Sequence, residues 1–154
     1  LNICLSINLR LALLSDNIRL WTWRNDQHSR AMSKDSRIIP WKEHQQWFLR
    51  ALFDKDVIIF IAENDGRSIG TARLNIDNNT ALISLTIATD YRSRGYGRQL
   101  LRSLCAYARD ILKIDTLYAE IKKNNIASLH CFEKEHFKKY DEENEYIKYL
   151  LKGD

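Results

Sequence analysis

Residues 91 to 98 read Tyr91-Arg92-Ser93-Arg94-Gly95-Tyr96-Gly97-Arg98, which contains an R-x-x-G-x-G turn. The turn lies between a run of alternating apolar residues and a stretch with helical spacing, a strand-to-helix junction. Glycines there let backbone amides approach an anion closely, and the first turn of the following helix supplies unpaired N–H donors and the positive end of a dipole. Arg92, Arg94 and Arg98 add charge at the rim. This combination suits a phosphate or diphosphate. Glycines also make plain turns and helix stops, so the flanking elements have to decide between the two.

Those elements alternate in type. Residues 3 to 14 predict a first strand, and Ser15-Asp16 offers an N-cap for a helix running through Ile18, Leu20, Trp21 and Trp23. Residues 28 to 36 read as a polar loop. After Pro40, apolar residues at 41, 48 and 52 with their neighbours 47 and 53 predict a second helix over 41–53. From residue 57 the pattern becomes β-branched and alternating, with strands expected at 57–62, 69–76 and 81–88 and turns at Asp65-Gly66 and Asp77-Asn78-Asn79. The helix after the glycine turn carries Leu100, Leu101, Leu104, Cys105, Ala108, Ile111 and Leu112 on one side and Arg98, Arg102 and Arg109 on the other. A strand at 116–121, a helix opened by Asn124 or Asn125 and running to about 135, and a hairpin of 137–140 with 145–151 complete the chain. The order β-α-α-β-β-β-α-β-α-β-β predicts an α/β fold with a mixed sheet in one domain, residues 1–154.

The bulk properties fit that reading. A chain of 154 residues with 45% hydrophobic and 29% charged residues, one proline and five glycines predicts a compact protein rich in regular structure. Apolar runs stay short of the roughly 18 residues that span a membrane, which predicts a cytoplasmic protein without membrane partners. The first residue is Leu1, so the sequence leaves the true start open. Net charge is +4, with cationic and acidic residues spread evenly through both halves. A basic tail or stripe of the kind that grips nucleic acid is not expected. Cys4, Cys105 and Cys131 are odd in number and widely spaced, which disfavours a disulfide framework or a metal site and suggests small buried hydrophobes in a reducing compartment.

With its R-x-x-G-x-G after the fourth strand, this order resembles the GNAT superfamily of acyl-CoA-dependent N-acetyltransferases. Two stretches carry the resemblance, residues 90–101 and residues 125–137, the second similar to the family's N-x-x-S-x-x-x-Y-x-K-x-G-F signature. The resemblance implies a GNAT fold, a mixed and mostly antiparallel sheet flanked by helices, with acetyl-CoA as co-substrate and no metal. It implies that amides from Arg94 through Gly95, Tyr96 and Gly97 to Arg98, with Arg92, hold the coenzyme A pyrophosphate. Thr86, Ile87 and Ala88 would pair with the pantetheine arm in a gap between diverging strands. Asn125 and Ser128 fit pantetheine contacts, and Asn125 fits ordinary helix capping equally well.

Acetyl transfer needs a neutral amine, a proton acceptor and donors for the developing oxyanion. Glu120, five residues before Asn125, matches a glutamate that several family members use as general base; the alternative is an edge-strand carboxylate in a salt bridge. An amide near Ile87 or Ala88 is the expected oxyanion donor. The family's usual acid, a tyrosine, is replaced by Phe132, leaving Tyr140, Tyr118 and His136 as neighbours in sequence, with Tyr140 the weak candidate. Trp21 to Asp26 and Glu43 to Phe48 resemble the W-R-N-D and E-H-x-x-W-F pattern of family enzymes that acetylate nucleotide-linked 4-amino-4,6-dideoxy sugars. By that resemblance Arg24, Arg30 or Arg37 would bind a diphosphate, His44 a sugar or phosphate, and Trp23, Trp41 or Trp47 would stack on a ring; aromatics at helical spacing also serve as core. A peptide N-terminus, a polyamine, an inactive coenzyme A-binding relative and a non-catalytic interaction module remain as alternatives. The edge strands and final hairpin could pair in a homodimer.

Overall fold

A computed structural model describes residues 7–153. Among these residues seven strands form one sheet in the order β1-β2-β3-β4-β5-β7-β6. β1 (Asn8–Leu11), β2 (Val57–Asn64), β3 (Arg67–Asp77) and β4 (Thr80–Ile87) make an antiparallel run. β4 pairs with β5 (Thr116–Lys122) in parallel, and β5 continues antiparallel to β7 (Tyr146–Lys152), with β6 (Lys138–Glu143) at the edge. The helices are α1 (Asn17–Asn25), α2 (Gln27–Ala31), α3 (Trp41–Phe53), α4 (Tyr96–Asp110) and α5 (Ile126–Lys134). The expected mixed, mostly antiparallel sheet flanked by helices is what the chain forms.

Two apolar clusters occupy the two faces of the sheet. Leu100, Leu101, Leu104 and Ala108 of α4 are fully buried against Phe60, Ala72, Leu74 and Leu117. Phe48 and Ala51 of α3, with Leu20 of α1, pack on Ile59 and Ile61 of β2. Alternation along β2 sends Ile58, Phe60 and Ala62 to one layer and Val57, Ile59 and Ile61 to the other. Gly70 lets β3 approach β4 closely: a Cβ there would lie 2.5 Å from the Thr86 carbonyl oxygen.

The structure redraws several expected boundaries. Of the first strand, residues 3–6 and Cys4 lie outside the described residues, and the paired part ends at Leu11 rather than at 14. The cause is Asp16, 1% exposed, whose carboxylate accepts from the Leu13 N–H at 2.8 Å and from Arg10 at 2.7 and 2.9 Å and Arg19 at 2.7 Å. Asp16 sits at the N-cap position of α1, yet its side chain turns the preceding chain instead of capping the helix. The expected loop at 28–36 begins with the short helix α2, opened by the Asp26 side chain accepting from the Ser29 N–H at 3.0 Å. Five residues without an apolar period leave little helical signal. Ile111 falls past the end of α4 and is exposed, because the chain turns at Lys113 with φ 57°.

Asp16→Asn is expected to destabilise the protein by about 2 kcal/mol, since it removes charge-assisted bonds from a buried carboxylate that two arginines share. A urea titration that leaves the midpoint unchanged would contradict this role.

Candidate active site

The site originates in a pairing that stops early. β4 and β5 share only the register pairs Thr80 with Thr116, Ala81 with Leu117 and Leu82 with Tyr118. Beyond them β4 runs on to Ile87 and β5 to Lys122, and the space between opens into a cleft of about 1330 Å³. A single small-molecule pocket usually spans roughly 300–1,000 Å³, so this cleft has room for two ligands. Thr86 and Ile87 line one wall, and Glu120, Lys122, Asn125 and Ser128 line the other. The Ala88 N–H donates to the Ile69 carbonyl at 2.8 Å, inside the sheet. Donor direction alternates along a strand, so the Ile87 amide faces the gap and Ala88, itself buried, does not.

At the cleft's end the glycine turn has the geometry of an anion cradle. Gly95 takes φ 84° at the N-cap of α4, a left-handed conformation that glycine adopts without strain. The Gln99 N–H makes the helix's opening bond, to the Gly95 carbonyl at 3.4 Å, so the amides of Tyr96, Gly97 and Arg98 precede it. Three successive donors at the positive end of a fifteen-residue helix fit a diphosphate. The Tyr96 ring, in contrast, is buried and meets Tyr91 edge-on at 6.1 Å.

The arginines around this turn are largely committed to the protein. Arg92 donates to the Ile87 carbonyl at 3.0 Å, to Asp26 at 2.8 Å and to Ser29 at 3.0 Å, tying the turn to α2. Burial works against ionisation of Asp26, but the bonds from Ser29, Arg92 and Thr89 prevail and hold its carboxyl at about 2. Arg98 pairs with Glu135 at 2.6 Å, joining α4 to the end of α5. Arg94 lies over the Tyr91 ring, 5.8 Å from its centre, and is not among the residues facing the cleft. Backbone amides, more than the three side chains expected from sequence, are therefore the available phosphate donors.

Glu120 faces the cleft from β5 and forms an ion pair with Lys34, from the segment that joins α2 to α3. Lys34 also stands over the Tyr146 ring, 5.3 Å from its centre. Tyr146 lines the cleft; Tyr140, the acid considered from sequence, is an exposed residue of β6 packed on Tyr118 and lies off the cleft. The reason is the hairpin's path: β7, not β6, adjoins β5, and its Tyr146 is the partner of Lys122. Burial raises the Tyr146 phenol above its ordinary value and Lys34 opposes that. Phe132 is buried against Phe137 at 4.9 Å, edge to face, where a ring without a hydroxyl packs well. The Asn125 side chain accepts from the Ser128 N–H at 3.3 Å, so it caps α5 while lining the cleft.

The far end of the cleft is built by α1, α3 and β3. Trp23, Arg24, His44 and Trp47 face it, as does Arg73 of β3, a residue that an alternating strand pattern does not single out. Arg73 stacks over Trp47 at 5.4 Å. Among the described residues its Nε and the Nη1 of Arg24 are buried without a hydrogen-bond partner. Burial pushes both guanidinium groups below their ordinary value, and Arg24 further lowers Arg73. The Nη2 of Arg24 donates to the Asp35 carbonyl at 2.6 Å, and the Nη2 of Arg73 meets the Ser84 hydroxyl at 3.4 Å. Arg30 instead bonds the Asn25 and Ser36 carbonyls and does not face the cleft, and Arg37 is held by Asp35 and Glu43. Asn25 pins Ile39 through bonds of 2.8 and 2.9 Å. His44 is 3% exposed, stacked between Trp41 and Phe48, with Nε2 3.1 Å from the Asn17 carbonyl.

The thiols do not enter this chemistry. Burial pushes Cys105 up to about 12 and Cys131 to about 11, so neither is a thiolate at neutral pH. Among the described residues no group of three His, Cys, Asp or Glu side chains gathers where it could hold a metal, and no helix is long and apolar enough to cross a membrane.

Known proteins share this architecture. Residues 17–137 match the family described as Acetyltransferase (GNAT) family. Acetyltransferase PseH of Campylobacter jejuni subsp. jejuni serotype O:2 is 30% identical over 142 residues, which cover 91% of this chain and 88% of that protein. The crystal structure of Campylobacter jejuni N-acetyltransferase PseH in complex with acetyl coenzyme A aligns with TM-score 0.77 at 22% identity, over 97% of this chain and all of that one. Spermidine N-acetyltransferase from Vibrio cholerae, in complex with CoA and spermine, aligns with TM-score 0.86 at 17% identity over 95% of both chains.

Burial, with Arg24 adding to it, lowers the His44 pKa against the opposing Asn17 carbonyl. A folded-state value below the unfolded one means that the unfolded chain takes up the proton first on acidification. Stability present above about 6.5 is therefore expected to fall as pH drops through the folded value. Denaturant midpoints measured against pH should show that slope in the wild type and lose it in His44→Gln; an equal slope in both would contradict it.

Proposed function

The chain belongs to the acetyltransferase (GNAT) family and is an acetyl-CoA-dependent N-acetyltransferase; from that premise we propose that it acetylates the 4-amino group of a nucleotide-linked amino sugar, in the cytoplasm. The observation that carries this reading is the pair Arg24 and Arg73. Two cleft-facing guanidinium groups with buried, unpartnered N–H donors raise each other's energy, and a diphosphate would relieve both the repulsion and the missing hydrogen bonds. A cationic polyamine would meet the opposite field. Trp23 offers an aromatic surface beside these groups for a base or sugar ring, while Trp47 backs the Arg73 guanidinium. The similarity to PseH supports the same acceptor class.

In this reading the coenzyme A diphosphate takes the amides of Tyr96, Gly97 and Arg98, and the pantetheine arm extends β4 along the open edge at Thr86 and Ile87. Bound acetyl-CoA supplies the acetyl thioester. Glu120 accepts the amine's proton, the Ile87 N–H stabilises the carbonyl oxygen as it gains charge, and Tyr146, a phenol lining the cleft, protonates the leaving sulfur. His44 acts through its position, fixing α3 against α1, since its Nε2 is already engaged.

Acetyl-CoA-dependent thiol release should appear with UDP-linked 4-amino-4,6-dideoxy sugars and not with polyamines or peptides bearing free N-termini; turnover of spermidine alone would overturn the acceptor. Arg73→Met should raise KM for the nucleotide sugar at least about tenfold while leaving that for acetyl-CoA unchanged. Glu120→Gln should lower kcat by about 100-fold or more with little change in acetyl-CoA affinity. Full turnover in that variant would remove the base assignment.

A further inference from the structure

We propose that Lys34 is an acetylation site of the protein itself, modified by its own active site when no acceptor is bound. The inference rests on Glu120 as the base. An acceptor amine must bring its ammonium to that carboxylate, and Lys34 Nζ already occupies the position, bonded to the Glu120 Oε2. The contact joins residues 86 apart in sequence, so it is made by the fold and not by local chain geometry.

Three further contacts hold the segment in place. Lys122, two residues along the same strand, donates to the Ala31 carbonyl at 2.9 Å, just ahead of Lys34. Arg24 grips the Asp35 carbonyl at 2.6 Å, just after it. The Tyr146 ring lies under the Lys34 ammonium. A primary amine is thereby presented, on a segment anchored at both sides, to the residue that takes the proton and beside the phenol that can return one. Proximity of this kind is worth far more than random collision with a thioester in solution. The other end of the cleft, at Arg24 and Arg73, stays open to an acceptor, which would have to displace only the Lys34 side chain, itself 64% exposed.

The step balances with acetyl-CoA as the one co-reactant. Lys34 gives a proton to the Glu120 carboxylate, and the freed lone pair on Nζ forms a bond to the thioester carbonyl carbon. Collapse of the tetrahedral adduct breaks the C–S bond, sulfur leaves with the electron pair, and the second nitrogen proton ends on the thiol. The product is a neutral acetamide at Lys34, free coenzyme A and one proton. Acetylation removes the positive charge that neutralises Glu120 and so ends the ion pair.

The test is peptide-mapped mass spectrometry of the full chain incubated with acetyl-CoA alone, followed over time. One acetyl group should accumulate at Lys34, about a hundredfold faster than at the exposed Lys42, with a rate independent of protein concentration. Lys34→Arg should abolish the modification at that position without a substitute site, and Glu120→Gln should reduce it to the Lys42 rate. Equal labelling of Lys34 and Lys42, or labelling of Lys34 that is unchanged in Glu120→Gln, overturns the proposal. Release that depends on the nucleotide sugar, counted beyond the one thiol per chain that Lys34 acetylation itself yields, separates the two readings. Such release without Lys34 acetylation leaves the acceptor reading standing and removes this one; Lys34 acetylation without such release does the reverse.

Discussion

Everything at the site depends on β4 and β5 ceasing to pair after three residues. A parallel pair that continued would satisfy its amides within the sheet and leave neither a cleft nor free donors. By diverging, the strands turn the Ile87 amide into open space, leave Glu120 facing the same cleft from β5, and leave β4 as an edge inside the sheet. Unpaired backbone groups are costly when buried and useful when a ligand can complete them. The large cores on both sides hold this splayed arrangement: Leu100, Leu101 and Leu104 support β4 from below, and Phe48 supports β2 from the other face.

Charge is used in two distinct ways around the cleft. Near the glycine turn, arginines are spent on joining elements: Arg92 to α2, Arg98 to α5. Near α1 and β3 they are satisfied only in part: Arg24 Nη1 and Arg73 Nε are buried with no acceptor among the described residues. The same residue type therefore builds the scaffold at one end and defines the proposed acceptor at the other. Asp26 illustrates the coupling, since one carboxylate caps α2 and holds Arg92, so the loop bearing Lys34 and the phosphate turn share a foundation.

Much of this was legible in the sequence because the signals were local. Gly95 at a strand-to-helix junction, the alternation of β2 to β4, and the apolar stripe of α4 each follow from residue type and period, and the fold and family follow from their order. The site was legible where function sits on the backbone. It was less so where a side chain's task depends on a distant partner: Arg92 and Arg98 read as phosphate ligands because their acceptors, Asp26 and Glu135, are 66 and 37 residues away. Arg73 was invisible because an arginine in a strand has no distinctive spacing, and Tyr146 was overlooked for Tyr140 because sequence does not say which strand of the last hairpin adjoins β5. A short helix such as α2, held by one cap and tertiary contacts, offers no period to read.

On the proposed function, the splayed strands present the Ile87 amide to the acyl-CoA arm. Residue-resolved amide hydrogen exchange, with and without saturating acetyl-CoA, addresses it directly. Ile87 should exchange readily in the free protein and become protected on binding, along with Gly97 and Arg98, while Ala88 should be protected throughout by its bond to Ile69. Unchanged exchange at Ile87 in the saturated protein would contradict it.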